Sequence, residues 1–419
     1  MKELIRKAVS LVLVVAFLIP TCVSAEKKEK GVAEIYSKNS ILVDQMTGRV
    51  ITEKKADEQV PLASISKVMT FYVAQDAIKN GEVKLTDRVK ITKPMLKVSG
   101  STMHLKENEK VSLDELLKGL LIVSANDAAL AIAYHVCDGD LDAFVERMNQ
   151  KAKDIGMKKT YFINPNGLPV YDWSKPEGTE PEQNHSTARD VYRMAKNLLE
   201  DYEDETVAIT GARSISSPER GCDYYNTNLL LHTYPNVDGM KTGYTDGAGY
   251  CLVFTNRMDI GTSEPKNRMI GVVMGNWCKE DRAASSTALY KLGETYHTEC
   301  VCKKGEAVGK GNVEDIKALS DVTLETKEDF YAVLRDNEKV NEKISYRKVE
   351  GSLNEESVIA DLQYIDEYGD VVASVPLVSP DLEHVSILSR CRIFGHKFKR
   401  LINIDRTDEK KDLPYAIAE

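Results

Sequence analysis

From Ala63 to Ala77 the sequence is apolar around nearly the whole circumference of a helix, with Ile65, Val68, Met69, Tyr72 and Val73 spread over its faces. Such a helix has no side to offer water and must be buried. The rest of the chain has to supply layers around it. At roughly 100–200 residues per domain, 419 residues suffice for two or three domains. Apolar residues make up 42% and charged residues 29%, ordinary globular usage that argues against a disordered, collagen-like or multi-span membrane chain. A net charge of −9 leaves no overall electrostatic footprint for nucleic acid.

Candidate layers are legible on both sides of the helix. Two apolar runs, Ser40–Asp44 and Arg49–Ile51, flank a turn with Gly48 and predict a β-hairpin. Ser112-Leu113-Asp114-Glu115 is a capping box that opens a helix with the stripe Leu116, Leu117, Leu120 and Leu121. Helical patterns follow at Asp127–Val136, Leu141–Ile155 and Ser186–Leu199, with a long surface loop at 164–185. Gly249–Asn256 and Arg268–Met274 read as adjacent antiparallel strands, and Arg282–Leu292 as a helix. Residues 31–295 are thus expected to form an α+β unit. Short alternating runs between 300 and 384 predict a small C-terminal β-sandwich domain.

The two ends differ from the rest. Lys2, Arg6 and Lys7 precede a short apolar stretch, Ala8–Pro20, and small residues at Val23 and Ala25, the pattern of a secretory signal over 1–25. Export implies an oxidising compartment in which disulfides can persist. Removal of Cys22 leaves seven cysteines, so at least one is free or pairs between chains. Cys300-Val301-Cys302 lacks further Cys or His ligands at metal spacing, so no metal is expected there. In segment 385–419, Ile387, Cys391, Phe394, Phe398 and Leu401 recur at helical spacing among Arg390, Arg392, Lys397, Lys399 and Arg400. A basic amphipathic helix over 387–402 suits an anionic membrane surface. Docking on its own domain would explain the pattern equally well, and Gly395 weakens a helix.

Three short motifs carry chemistry. Ser64 and Lys67, three apart at the start of the buried helix, share a face, so the amine can reach the hydroxyl. A serine needs a base to become a nucleophile, and a lysine serves only if burial or a nearby cation depresses its pKa. Alone, S-x-x-K is expected roughly twice by chance in a chain this size. Ser124-Ala125-Asn126 offers a hydroxyl and an amide that could orient the lysine, relay a proton and hold a substrate amide. Ser352-Leu353-Asn354 repeats that pattern in the β region and reads as a turn. Lys241-Thr242-Gly243 precedes a strand; a cation and a hydroxyl on a sheet edge can grip a carboxylate, and Gly243 lets a substrate backbone approach.

In this order, 60 and then 117 residues apart, the three motifs resemble those of penicillin-binding proteins and class A β-lactamases. The chain is most similar to the low-molecular-mass penicillin-binding proteins, the serine-type D-alanyl-D-alanine carboxypeptidases. Gly119–Ala129 (GLLIVSANDAA, with Ala125 where Gly is usual), Phe162–Leu168 (FINPNGL), His185–Asp190 (HSTARD), Val237–Tyr250 and Val272–Gly275 also resemble family stretches. The resemblance implies a penicillin-binding/β-lactamase-like catalytic domain that removes the terminal D-Ala from peptidoglycan pentapeptide stems without a cofactor. It implies Ser64 as nucleophile, Lys67 as general base and Ser124 as proton relay, with Asn126 supporting lysine and substrate. It further implies backbone N–H groups of Ser64 and Tyr244 as an oxyanion hole, and Lys241, Thr242 and Arg282 as carboxylate binders. β-Lactams, which mimic D-Ala-D-Ala, would acylate Ser64. His104, His135 and His185 are expected to be structural.

Three rivals share these residues. A β-lactamase would need a deacylating glutamate, and Glu177, Glu180 and Glu182 in the long loop lack the class A context. A D,D-endopeptidase would differ only in cleft shape. A non-catalytic binding scaffold would not need all three motifs intact.

Overall fold

The computed structural model describes residues 35–176, 178–258, 267–311, 321–347 and 354–382. The signal-like segment 1–25 and the basic segment 387–402 lie outside them. The hairpin is formed by β1 (Asn39–Asp44) and β2 (Val50–Lys54), and its turn is tied by the Thr47 N–H donating to the Asp44 carboxylate at 2.7 Å. A two-residue strand β3 (Val60–Pro61) leads through a 3₁₀ turn, Ala63–Ile65, into α1 (Ser66–Lys79). The hairpin β4 (Arg88–Lys90) and β5 (Lys110–Ser112) precedes α2 (Leu113–Ile122), α3 (Asn126–Val136) and α4 (Leu141–Asp154). Then come β6 (His185–Ser186), which pairs with β3, and α5 (Ala188–Thr210). A hairpin of β7 (Ser214–Ser217) and β8 (Cys222–Tyr225) and a short α6 (Leu230–Thr233) complete this part.

The all-round apolar helix is α1. It packs against α2, α3, α4 and α5, which is why it needs no polar face. The chain then returns to the main sheet with β9 (Val237–Thr245), β10 (Gly249–Arg257) and β11 (Arg268–Asn276), followed by α7 (Lys279–Gly293). The sheet order is β2-β1-β11-β10-β9, wholly antiparallel. α5 and α7 both pack on it. The cores of β1, β10 and β11 are therefore continuous apolar runs rather than alternating ones. β9 is an edge, and it carries Lys241-Thr242-Gly243.

Two local expectations change. α5 begins at Ala188, capped by the Thr187 hydroxyl, and continues past Leu199 to Thr210 through a non-helical Tyr202. The extension buries Thr206 and Ile209, which the polar run at 200–205 conceals in the sequence. The capping box at Ser112 is only half made. The Ser112 hydroxyl accepts from the Glu115 N–H, but Glu115 turns inward to accept the Tyr224 hydroxyl at 2.8 Å. Glu219 takes over at the Ser112 N–H.

The C-terminal strands are β12 (Tyr296–Cys302), β13 (Ala307–Gly311), β14 (Val322–Thr326), β15 (Phe330–Arg335), β16 (Val340–Tyr346), β17 (Ala360–Asp366) and β18 (Val371–Val378). The pair β12-β15 and the sheet β13-β14-β18-β17-β16 enclose a separate core that includes Leu324, Phe330, Ile359, Val375 and Leu377. The Arg49 guanidinium, on the β1–β2 hairpin, donates to Glu338 at 3.0 Å and to the Val333 carbonyl. Cys137, Cys222, Cys251, Cys278, Cys300 and Cys302 are all free thiols, so the expectation that disulfides persist finds none among the described residues.

Because Phe330 is fully buried in the second core, Phe330→Ala is expected to cost that core about 3–5 kcal/mol. Calorimetry should show an early transition for the C-terminal strands, while penicillin labelling of the folded protein below that transition stays at the wild-type rate.

Candidate active site

The site begins with a strained turn. Ala63 has φ 48°, a left-handed conformation that costs a residue with a Cβ about 1–2 kcal/mol. Its surroundings hold it there. The Ala63 carbonyl accepts the Ser66 hydroxyl at 2.8 Å, and Asn184 donates to that hydroxyl at 2.8 Å. Gly167 comes so close that a Cβ at this position would stand 1.9 Å from the Ala63 oxygen. From the other side, a Cβ on Gly243 would meet the Ile65 nitrogen at 3.2 Å. The missing side chain at Gly243 therefore lets β9 close on the Ser64 turn, an approach within the protein rather than only by a ligand.

Lys67 follows in the first turn of α1 with no exposed surface. Its Nζ lies 2.8 Å from Ser64 Oγ and donates to the Asn166 carbonyl at 2.7 Å. Burial first, and the Lys241 cation second, hold its pKa well below the usual lysine range; Asp127 opposes them. Lys241, also buried, donates to the Thr242 carbonyl at 3.0 Å. Its pKa is pushed down to about 7, by burial and then by Arg282. Arg282 is itself largely buried at the start of α7, 5.9 Å above the Tyr250 ring, and burial lowers its pKa too. Lys67, Lys241 and Arg282 are thus linked in a chain in which each neighbour's charge disfavours the next, and an incoming carboxylate would favour the charge on Lys241 and Arg282.

Thr242 Oγ1 is 2.7 Å from Thr227 Oγ1. Tyr244 is half exposed, stacks on Tyr250 at 4.2 Å and donates its hydroxyl to Asp246. Ser124 stands at the α2–α3 junction with φ 63° and is buried. Among the described residues no hydrogen bond joins its hydroxyl to Lys67. Asn126 also differs from expectation. Its amide donates to the Ser99 carbonyl at 2.6 Å and its backbone N–H to Ser101 at 2.8 Å, which ties segment 99–101 to α3. Its Oδ1 is buried without a partner. The support for Lys67 comes instead from the Asn166 carbonyl. Asp127 tethers the residues that follow by accepting from the Met103 and Leu105 N–H groups at 2.9 and 3.1 Å.

Asn166, Asp127, Asn184 and Thr227 had no assigned role in the sequence. The only signal was that Asn166 and Asp127 fall inside the family-like stretches. The histidines stand apart from this chemistry: His135 pairs with Asp87 at 3.2 Å, His104 lies 3.2 Å from the Thr102 hydroxyl, and His185 pairs with Pro61. Glu182 faces Lys175 at 3.6 Å, and Glu177 lies outside the described residues.

Gly167→Ala is expected to destabilise the protein by about 2–4 kcal/mol, through an unfavourable φ and overlap with Ala63. Displacing the Ser64 turn should also slow acylation more than tenfold. Thermal melts and stopped-flow labelling with a fluorescent penicillin would measure both.

Comparison with known proteins identifies the family. The signature of the D-alanyl-D-alanine carboxypeptidase family matches residues 24–277, more than half of the chain. The D-alanyl-D-alanine carboxypeptidase DacF of Bacillus subtilis is 32% identical over 345 residues, which cover 80% of this chain and 83% of that protein. Penicillin binding protein 5 of Haemophilus influenzae superposes with a TM-score of 0.67 at 28% identity, over 83% of this chain and 97% of that one. Penicillin-Binding Protein D2 of Listeria monocytogenes, solved in an ampicillin-bound form, matches with a TM-score of 0.53 at 26% identity, over 62% of this chain and 97% of that one. The chain belongs to the D-alanyl-D-alanine carboxypeptidase family, and it is a serine-type carboxypeptidase of peptidoglycan metabolism.

Proposed function

We propose that the site cleaves the terminal D-Ala from peptidoglycan pentapeptide stems through an ester on Ser64. The observation that carries this is the 2.8 Å contact between Ser64 Oγ and a buried lysine whose charge is disfavoured. A neutral Lys67 amine keeps one N–H on the Asn166 carbonyl and turns its lone pair to the Ser64 proton. Ser64 then attacks the penultimate D-Ala carbonyl. The developing oxyanion is received by the backbone N–H groups of Ser64 and Tyr244. Ser124 passes the proton to the departing D-Ala amine, and water hydrolyses the ester in the reverse sequence. Lys241, Thr242 and Arg282 hold the terminal carboxylate. Asn126, fixed by Ser99, supports the substrate side of the site.

The same arrangement suits a β-lactam, whose carboxylate and strained amide occupy these positions; the ampicillin-bound relative supports that reading. The remaining assignments are also proposals. Residues 31–295 would form the catalytic domain and 300–384 a β domain, in keeping with two separate cores. Residues 1–25 would direct export, and 387–402 would rest on an anionic membrane surface. No helix among the described residues is long and apolar enough to cross a membrane.

Intact-mass spectrometry with benzylpenicillin should show a stable adduct on the wild type and none on Ser64→Ala. D-Ala should be released from a free pentapeptide by the wild type only. A wild type that neither forms the adduct nor releases D-Ala would refute the proposal; rapid penicillin turnover without an adduct would mark a β-lactamase.

The pH profile tests Lys67 as base. kcat/KM should rise with pH as Lys67 loses its proton, and fall above about 7 as free Lys241 loses the charge that binds the carboxylate. In Lys241→Gln the neighbouring cation is gone, so the Lys67 pKa rises and the acid limb should move to higher pH. An unmoved limb would exclude this pair of roles.

A further inference from the structure

The loop between Gly167 and Gln183 carries an aromatic pair that the catalytic chemistry does not use. Tyr171 and Trp173 stack at 5.7 Å with an interplanar angle of 20°, although they are 52% and 89% exposed. Two rings stacked in the open, rather than folded onto the core, leave an apolar face in water. The loop that carries them is ordered by its own bonds. Asp172 accepts from both the N–H and the hydroxyl of Ser174, at 3.0 and 2.6 Å, and Val170 and Glu182 exchange backbone hydrogen bonds at 2.8 and 3.0 Å.

The feet of the loop are set in the catalytic site. Asn166 and Gly167 contact Lys67 and Ala63. Gln183 accepts from the Thr245 hydroxyl at 3.3 Å, just beyond the Lys241–Tyr244 segment of β9. Tyr171 is five residues from Asn166, so its backbone lies within about 18 Å of the lysine's partner. In a pentapeptide stem, four residues separate the scissile bond from the sugar, about 14 Å when extended. The lengths of loop and stem therefore allow the aromatic pair to meet the sugar when the scissile bond is at Ser64.

We propose that Tyr171 and Trp173 form a glycan subsite, a platform for a pyranose ring of the N-acetylated sugar that bears the stem peptide. A pyranose presents a face of C–H groups that complements the electron-rich face of an aromatic ring. Its rim of hydroxyl and amide groups matches the polar groups beside the pair, Asp172, Ser174 and Lys175. This inference rests on the peptidoglycan reading above and extends it from the peptide to the glycan. Binding energy gained there is remote from the reacting bond and would appear as selectivity for glycan-linked over free stems.

The test compares one pentapeptide in two forms, free and attached to an N-acetylglucosaminyl–N-acetylmuramyl disaccharide. Trp173→Ala and Tyr171→Ala should leave kcat/KM on the free peptide within about twofold of wild type. They should lower it on the disaccharide form about tenfold, or about 1.4 kcal/mol. Penicillin labelling at the wild-type rate would show that the variants are folded. The chain has two tryptophans, so Trp277→Phe leaves Trp173 as the sole reporter. Its emission should shift to the blue on adding a peptide-free N-acetylglucosamine oligomer. Equal losses on both substrates, no loss on either, or no spectral shift would overturn the subsite. A wild type that fails to release D-Ala from the free peptide would overturn the catalytic reading instead, and the fluorescence titration would still judge the platform.

Discussion

The proposed chemistry depends on the burial of the Lys67 amine, which holds its pKa well below the usual lysine range. An unpaired buried ammonium is so costly that the group gives up its proton instead. A lowered pKa is what would let an ordinary lysine serve as the base in the proposed mechanism. The apolar circumference of α1 removes water from the amine, and the five-stranded sheet with its two flanking helices carries Lys241 into range. Asp127 limits the effect from the opposite side. It spends most of its hydrogen-bonding capacity on the Met103 and Leu105 N–H groups, so it tempers the lysine without forming an ion pair with it.

The same electrostatics couple recognition to chemistry. Before a ligand arrives, Lys241 and Arg282 repel each other in a poorly hydrated space. A carboxylate placed there stabilises both and draws Lys241 fully into its charged form. A charged Lys241 in turn favours the neutral state of Lys67. In the proposed mechanism the charge on Lys241 at the carboxylate end is thereby linked to the proton on Lys67.

Much of this was legible in the sequence because it is written in side chains. The all-round apolar run from Ala63, the β1–β2 hairpin, the paired strands β10 and β11 and the order of the three motifs each depend on residue type and spacing. What escaped is written in the backbone or in long-range choice of partner. The acceptor for Lys67 is the carbonyl of Asn166, and any residue has a carbonyl. Asn126 looked like a partner for the lysine by motif, yet Ser99 lies nearer its amide once segment 99–101 folds back on α3. Glu115 satisfies the capping pattern locally, but the buried Tyr224 hydroxyl, more than a hundred residues away, claims its carboxylate. The extent of α5 was hidden because its last turns bury residues too few and too widely spaced to form a visible stripe.

The position of β9 at the margin of its sheet has a consequence for how tolerant such an enzyme is. A strand with one open side offers N–H and C=O groups at a fixed repeat, and any extended chain can align with them whatever its side chains. In the proposed site discrimination would come from the end of the aligned segment that meets Lys241 and Arg282. Drift in the middle of the substrate would leave the alignment intact. An amide in place of the terminal carboxylate would remove the charge that the cations are placed to meet.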